Sequence, residues 1–426
     1  MFTTYGALIG LSLAIVLIIR RVVPAYALII GALLGGLIGA LLGGLIGGGG
    51  LAGTVNAMIS GTQSMMPSVL RILASGVLVG ALVKTGSAAK IADTIVTGLG
   101  ARFALLAVAF ATTVVCSVGV FIDIAVITVA PVALAVGARA KIPVPALLLA
   151  MIGGGKAGNI ISPNPNTIAA ADAFKIELTE LMAANLIPAL FAFVAAVLLS
   201  TLLAVRLRRQ GGAADAPVAD LSADSGKTAL WSALSGPLSV VALLSLRPFA
   251  GVAVDPLVAL PVGGIVSMLA CGRWRDMVEF SQFGLSKVSG VAILLIGTGT
   301  VAGIVKASQL NTDMIAILDA LNLPMFALAP ISGILMAGAT ASTTAGATIA
   351  SQTFSTTLVN AGVAPVSAAA MIHAGATVVD SLPHGSFFHA TGGSVFMGVK
   401  ERLKLIPYEA AVGLTATAAS CICALV

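Results

Sequence analysis

Two stretches of this chain carry the same interrupted pattern. Pro145, Ala150, Met151, Ile152, Gly155 and Pro163 recur 220 positions later as Pro365, Ala370, Met371, Ile372, Gly375 and Pro383. Upstream, Phe103-Ala104-Leu105 answers to Phe326-Ala327-Leu328, and Gly80 to Gly303. Paired apolar segments broken by proline and glycine mark discontinuous membrane helices. Such helices build a site near the bilayer midplane at the interface of two repeats.

Composition supports a bilayer setting. The chain has 426 residues, 58% hydrophobic and 9% charged, where soluble domains carry roughly a quarter charged residues. Long apolar runs indicate helices rather than a barrel. The expected class is therefore all-α: a polytopic membrane protein of inverted repeats, each with a re-entrant hairpin and a broken transmembrane helix. A net charge of +6 does not indicate nucleic acid, because the basic residues sit in short clusters between apolar runs. Cys116, Cys271, Cys421 and Cys423 stand in apolar surroundings and form no metal-ligand set. The first apolar run has no basic residues before it and ends at Arg20-Arg21, so it is expected to be retained as a span.

The first half is expected at 1–205. Spans 4–19 and 23–47 come first, the second with Gly31, Gly35, Gly39, Gly43 and Gly47 on one face, a spacing that lets another backbone approach closely. Its partner is a helix of the same chain or, alternatively, a second subunit. A span at 67–85 and a surface helix at 87–100 follow. The apolar stretch 103–137 is too long for one ordinary helix, and its middle, Cys116 to Asp123, contains a glycine and a carboxylate. This predicts a re-entrant hairpin with its tip inside the membrane. Segment 143–175 is predicted to break from Gly153 to Asn159, resuming through Ser162-Pro163-Asn164-Pro165-Asn166. Span 183–205 closes the half. Residues 206–248 read as a cytoplasmic linker (206–228) and a connecting span (229–247). The second half, 249–426, has spans at 252–271 and 289–306, a surface helix near 308–322, a hairpin at 325–362 with its tip at Gly338–Gly346, a broken helix at 365–398 and a last span at 406–424.

Threaded with the N-terminus outside, this order collects 17 of the 22 basic residues on the cytoplasmic side: Arg20, Arg21, Lys84, Lys90, Arg102, Arg139, Lys141, Arg206, Arg208, Arg209, Lys227, Arg273, Arg275, Lys287, Lys400, Arg402 and Lys404. Both termini are then outside, the repeats are inverted, and the location is the inner membrane of the cell.

Ionisable groups inside spans are functional candidates by default. Asp123, at the first tip, suits a proton that binds on burial and leaves on hydration; the alternative is a carboxylate bonded to local amides. Lys156 has an ammonium to receive an anion or to pair with Asp123. Asn159, Ser162, Asn164 and Asn166 suit hydroxyl-bearing ligands, and also cap broken helix ends. The second copy carries Asp380, Ser381, His384, Ser386, His389 and Thr391. All three histidines (His373, His384, His389) fall in that broken helix, where proton handling is one role and structural bonding the other. Thr340, Ser342, Thr343 and Thr344 crown the second tip and either meet a ligand or bond the turn. Phosphate-loop, metalloprotease and hydrolase motifs are absent, and no ATPase segment is present, so neither an enzyme nor a cofactor is expected.

At these residues the chain resembles the gluconate:proton symporter (GntP) family, within a superfamily of inverted-repeat ion transporters. The resemblance covers nearly the whole chain. It is carried by Gly119-Val120-Phe121-Ile122-Asp123, Ser162-Pro163-Asn164-Pro165-Asn166-Thr167, Gly338-Ala339-Thr340-Ala341-Ser342 and the Asp380–Phe388 segment. It implies uptake of a sugar acid such as gluconate, or a related hydroxy or amino carboxylate, with protons. It also implies a homodimer and an elevator-like motion of hairpins and broken helices. As aligned to the family, Asp123 replaces a usual glutamate, the first break has fewer Pro-His and Pro-Gly steps, and Pro383-His384 with Phe387-Phe388 replaces an Asn-Asp pair followed by Phe-Trp. These departures fall on the expected site. The ligand groups are then Lys156, Asn159, Ser162, Asn164, Asn166, Thr340, Ser342, Thr343, Thr344, Ser381, His384 and Ser386. The proton groups are Asp123, Asp380, His384 and His389. The alternatives are a sodium-coupled di- or tricarboxylate carrier, a cation/proton antiporter and an ion channel.

Overall fold

The computed structural model describes residues 3–20, 22–43, 50–209, 228–244, 246, 252, 254–309, 313, 324–383 and 385–425. Its elements are helices throughout, with no strand among the described residues. In chain order they begin with α1 (Thr4–Ile19), α2 (Pro24–Gly43), α3 (Gly50–Gln63), α4 (Met66–Lys84) and α5 (Ser87–Leu99). A first helical hairpin follows, α6 (Ala104–Ser117) and α7 (Ile122–Arg139), then a first broken helix, α8 (Val144–Ile160) and α9 (Pro165–Phe174). Next come α10 (Leu178–Ala184), α11 (Leu186–Arg209), α12 (Leu230–Leu244), α13 (Pro256–Ala270) and α14 (Met277–Ala307). The second hairpin is α15 (Leu328–Thr340) and α16 (Thr343–Asn360), and the second broken helix is α17 (Pro365–Gly375) and α18 (Ser386–Ser394). The chain ends in α19 (Val399–Leu403) and α20 (Ile406–Leu425).

Six segments among the described residues are long and apolar enough to cross a membrane, including Leu186–Arg209 and Trp274–Val305. In α11, Leu186, Leu190, Val194, Leu198 and Leu202 are all exposed. A leucine-rich stripe at every fourth position is costly in water and costs nothing against acyl chains.

Packing sorts the helices into two groups. The pairs α1–α2 and α12–α13 each pack as antiparallel neighbours, and α3, α4 and α14 cross them. The other group surrounds α8, which is buried along its length and packs against α6, α7, α11 and α20. α17 holds the matching place among α15, α16, α9 and α20. The groups meet where α14 lies on α16 and α4 lies on α9.

Several expectations are corrected. The first break does not fall at Gly153–Asn159: α8 continues to Ile160, and the chain unwinds at Ile161–Asn164. The glycines there are contact points rather than breakers. A Cβ on Gly154 would strike the Ala109 backbone, one on Gly158 the Thr113 carbonyl, and Thr113 Oγ1 donates to the Gly154 carbonyl at 2.9 Å. The break belongs to Pro163 and Pro165, which withhold N–H donors and push the preceding residue out of helical geometry. Helices α3 and α10 were not foreseen. The span expected at 289–306 begins at Met277, so Lys287 lies within a helix of 31 residues rather than in a cytoplasmic loop. Arg402 is not a loop charge either, being only 1% exposed. Helix α11 extends to Arg209, so the segment expected as linker starts helical. The rest of that linker, Gly47, His384 and most of the surface helix near 308–322 lie outside the described residues. The glycine face of α2 packs within the chain at Gly31 and Gly35, which lie against Gly10 of α1.

Candidate functional site

Each hairpin tip is built by local chemistry. The first turn, Val118–Phe121, requires a positive φ, and Gly119 supplies it at +107° without a Cβ penalty. Phe121 is extended, α7 starts at Ile122, and Asp123 therefore stands in the first turn of the helix, where the N-terminal dipole favours a carboxylate. The second tip turns through Ala341, held at φ +47° and buried. A non-glycine residue there is strained by roughly 1–2 kcal/mol. Ser342 caps α16, its Oγ accepting from the Ala345 N–H at 3.2 Å, and Thr340 Oγ1 donates back to the Met336 carbonyl at 2.8 Å.

The two tips face a common cavity of about 850 Å³. Its wall includes Phe121 to Ile124 from the first tip, Asn159 near the end of α8, Thr340 to Ala345 from the second tip, and Pro383, Gly385, Ser386, Phe387 and His389 from the second break. Helix α14 closes one side with Lys287, Gly290 and Val291, and the turn between α1 and α2 closes another. Segments far apart in sequence thus converge on one space. The charged side chains among its described lining residues are Asp123 and Lys287, and His389 is the third titratable group. The His389 ring also bonds the Pro383 carbonyl through Nε2 at 2.8 Å.

Behind this wall lies the first break. Asn164 caps α9, its Oδ1 accepting from the Asn166 N–H at 2.9 Å and the Thr167 N–H at 3.2 Å. Its Nδ2 donates to the Asn159 carbonyl at 2.8 Å and to Asn159 Oδ1 at 2.7 Å. Asn159 is thereby aimed by Asn164, while its own Nδ2 has no partner among the described residues. A buried amide without an acceptor is costly unless a water or ligand completes it. Ser162 Oγ and Asn166 Oδ1 are likewise buried and unpartnered, but neither residue lines the cavity.

Lys156 does not line the cavity either. It is 1% exposed and donates to Asp380 Oδ1 at 2.7 Å, to the Glu409 carbonyl at 3.3 Å and to the Thr377 carbonyl. Its partner is therefore Asp380, not Asp123. Asp380 also accepts from Thr343 Oγ1 at 2.6 Å and Ser381 Oγ at 3.0 Å. Sequence reasoning missed the adjoining pair of Arg402 and Glu409, both buried, with Arg402 Nη2 reaching Glu409 Oε2 at 3.1 Å and Thr391 Oγ1 at 3.3 Å. His373 is fully buried away from the cavity, with neither ring nitrogen partnered among the described residues. Lys287 was missed as a cavity group because the polar residues from Ser281 to Ser289 disguise the first third of α14. The signal that finds it is the apolar set Phe280, Phe283, Gly284 and Leu285, which carries the span upstream.

The arrangement has no metal-type cluster among the described residues. It offers a cavity for a small polar molecule, lined by helices and by the unwound backbone of the tips. The GntP family permease profile matches residues 3–426. A Haemophilus influenzae protein described as an uncharacterized transporter is 52% identical over 416 residues, which is 97% of this chain and 96% of that one. The fold is similar to the crystal structure of the Alcanivorax borkumensis YdaH transporter, reported to have an unusual topology, with a TM-score of 0.69 and 18% identity over 97% of this chain and 98% of that one. Matched along nearly its whole length, the chain belongs to the GntP family of permeases and is a multi-span membrane transporter.

Proposed function

We infer that this permease is a secondary active transporter of the inner membrane that brings a small organic anion into the cell together with protons. The observation that carries this is the cavity shared by both hairpin tips and the second break. Asp123 supplies a proton site there. Asn159, Ser342, Thr344 and Ser386 supply donors suited to a hydroxylated carboxylate such as gluconate, and the Thr340 and Thr343 oxygens, whose protons are engaged by Met336 and Asp380, can accept from its hydroxyls. Asn164 braces Asn159 from behind, and Ser162 and Asn166 lie in the same break with a polar atom each free for a ligand or water. Asp380, Ser381 and Lys156 form a buried joint that ties the second break to α8.

The matched hairpins and broken helices fit two inverted repeats that divide the chain near 205 and 248, with both termini outside. The helices around α8 and α17 fit a unit that moves past the other group in an elevator-like cycle, and the exposed apolar faces leave room for a homodimer. Uptake of labelled gluconate and related carboxylates into proteoliposomes tests the function. Saturable accumulation under an imposed proton gradient is expected. Accumulation under a sodium gradient alone favours the sodium-coupled alternative, and flux that does not saturate favours a channel. Asp123→Asn is expected to abolish gradient-driven accumulation while the folded protein still exchanges substrate across the membrane. Full accumulation by that variant removes Asp123 from the coupling step.

A further inference from the structure

Lys287 stands where a charge needs a reason. It lies ten residues into α14, about 15 Å along a helix that rises 1.5 Å per residue. The segment around it is apolar enough to cross a bilayer. A lysine in such a segment is costly unless it faces water, a ligand or a counter-charge. Among the described residues lining the cavity it is the only cation.

Its neighbours leave the ammonium available. Lys287 Nζ rests 5.1 Å from the centroid of the Phe283 ring, and no carboxylate among the described residues lies within ion-pair distance of it. Lys84, on the same ring at 5.0 Å, differs in having Glu279 3.5 Å away. Lys156, the other lysine of this region, has all its donors engaged by Asp380, Thr377 and Glu409. The opposite charge lining the same cavity is Asp123 on α7. Among the described residues, the remaining titratable groups around Asp123 are His389 of α18 and the buried thiol of Cys116 on α6.

We propose that Lys287 receives the carboxylate of the transported anion while Asp123 takes up the co-transported proton. This role presupposes the anion transport inferred above. Charge balance then argues for one proton per anion. With Lys287 charged and Asp123 ionised, the empty cavity is neutral. Entry of an anion alone leaves a net negative charge, and protonation of Asp123 alone leaves a net positive one. Only the two events together restore neutrality. In a space walled by apolar helices, where charge imbalance is weakly screened, the anion and the proton thus bind cooperatively. The proton comes from the solution on the loading side and joins an Asp123 carboxylate oxygen; no other bond forms or breaks.

The test uses purified full-length protein and gluconate as the probe, with wild type, Lys287→Arg, Lys287→Gln and Lys287→Met compared in proteoliposomes. Loss of a charge-assisted contact predicts that Lys287→Met raises the KM for gluconate at least about tenfold, with Lys287→Arg much less affected. A second readout separates charge from packing. Wild type should take up about one proton per gluconate bound, seen with a pH indicator on mixing. In Lys287→Met the anion has lost the charge that receives it, and gluconate-dependent proton uptake should fall towards zero. Lys287→Gln serves in place of Lys287→Met if the latter fails to fold. A folded Lys287→Met or Lys287→Gln with unchanged KM and unchanged proton uptake overturns the proposal while leaving anion transport intact. If wild type transports none of the carboxylates tested, the functional assignment itself fails, whatever Lys287 does.

Discussion

Lys156 uses its ammonium inside the protein. A buried ion pair contributes little net stability, yet breaking it strands a charge in a poorly polar interior. Lys156→Met is therefore expected to destabilise the protein by about 3–5 kcal/mol, because Asp380 keeps only the Thr343 and Ser381 hydroxyls. The double variant Lys156→Met with Asp380→Leu should regain most of that loss, as measured by thermal unfolding in detergent. A double variant as unstable as the single one would show that the pair does more than neutralise itself. The sequence displayed Lys156 and Asp380 as polar residues in two related breaks, but not that they were partners. Nor did it show that Arg402 and Glu409, seven positions apart across Pro407, formed a second buried pair. Partner choice depends on which helices lie side by side, and no local pattern encodes that.

At the level of elements, glycine sets how closely helices cross. Where α4 meets α14, a Cβ on Gly80 would strike the Phe280 carbonyl, and one on Gly284 the Gly76 carbonyl. With no hydrophobic force to drive helices together in lipid, such backbone proximity is the source of association. Gly284→Leu is expected to cost about 1–3 kcal/mol or to prevent assembly, assayed by the yield and thermal stability of detergent-extracted protein. Gly53→Ala is the control. Nothing lies within 4 Å of its would-be Cβ, so the helix-favouring change should be neutral or gain about 0.5–1 kcal/mol. The hairpins and the second break were legible from apolar length interrupted by Gly119, Ala341-Ser342 and Pro383. The first break was displaced in the reading because glycine in a membrane helix has two meanings. From Gly153 to Gly158 it means contact, and only packing against α6 reveals that. Likewise, Pro67 stands where α3 gives way to α4, whereas α14 runs unbroken through the matching register, which a polar stretch from Ser281 to Ser289 conceals.

Across the whole molecule, one cluster ties the two helix groups together. Arg71 of α4 pairs with Asp172 of α9, and also with Asp255 at the start of α13, at 2.7 Å. Ser68 Oγ donates to Asp172 Oδ2 at 2.6 Å. If the unit containing α9 slides past α4 and α13 during transport, these contacts must open once per cycle. A variant with Ser68→Cys and Asp172→Cys, in a background whose four native cysteines are replaced by serine or alanine, is expected to cross-link on oxidation. It should then retain binding but lose net uptake, and a reductant should restore transport. Uninterrupted uptake by the fully cross-linked protein would place the moving boundary elsewhere.

The sequence by itself determined the helical class, the bilayer as solvent, the paired hairpins and broken helices, and the Asp123 tip. Each of these follows from local physics: apolar length, proline geometry, and the cost of a polar group in hydrocarbon. Only the tertiary structure decided which charges meet. It withdrew Lys156 and Asp380 into a joint, buried Arg402 with Glu409, and placed Lys287 of α14 in the wall of the cavity that Asp123 also lines. Those outcomes depend on through-space distance between helices remote in the chain, and a one-dimensional pattern holds no such distance.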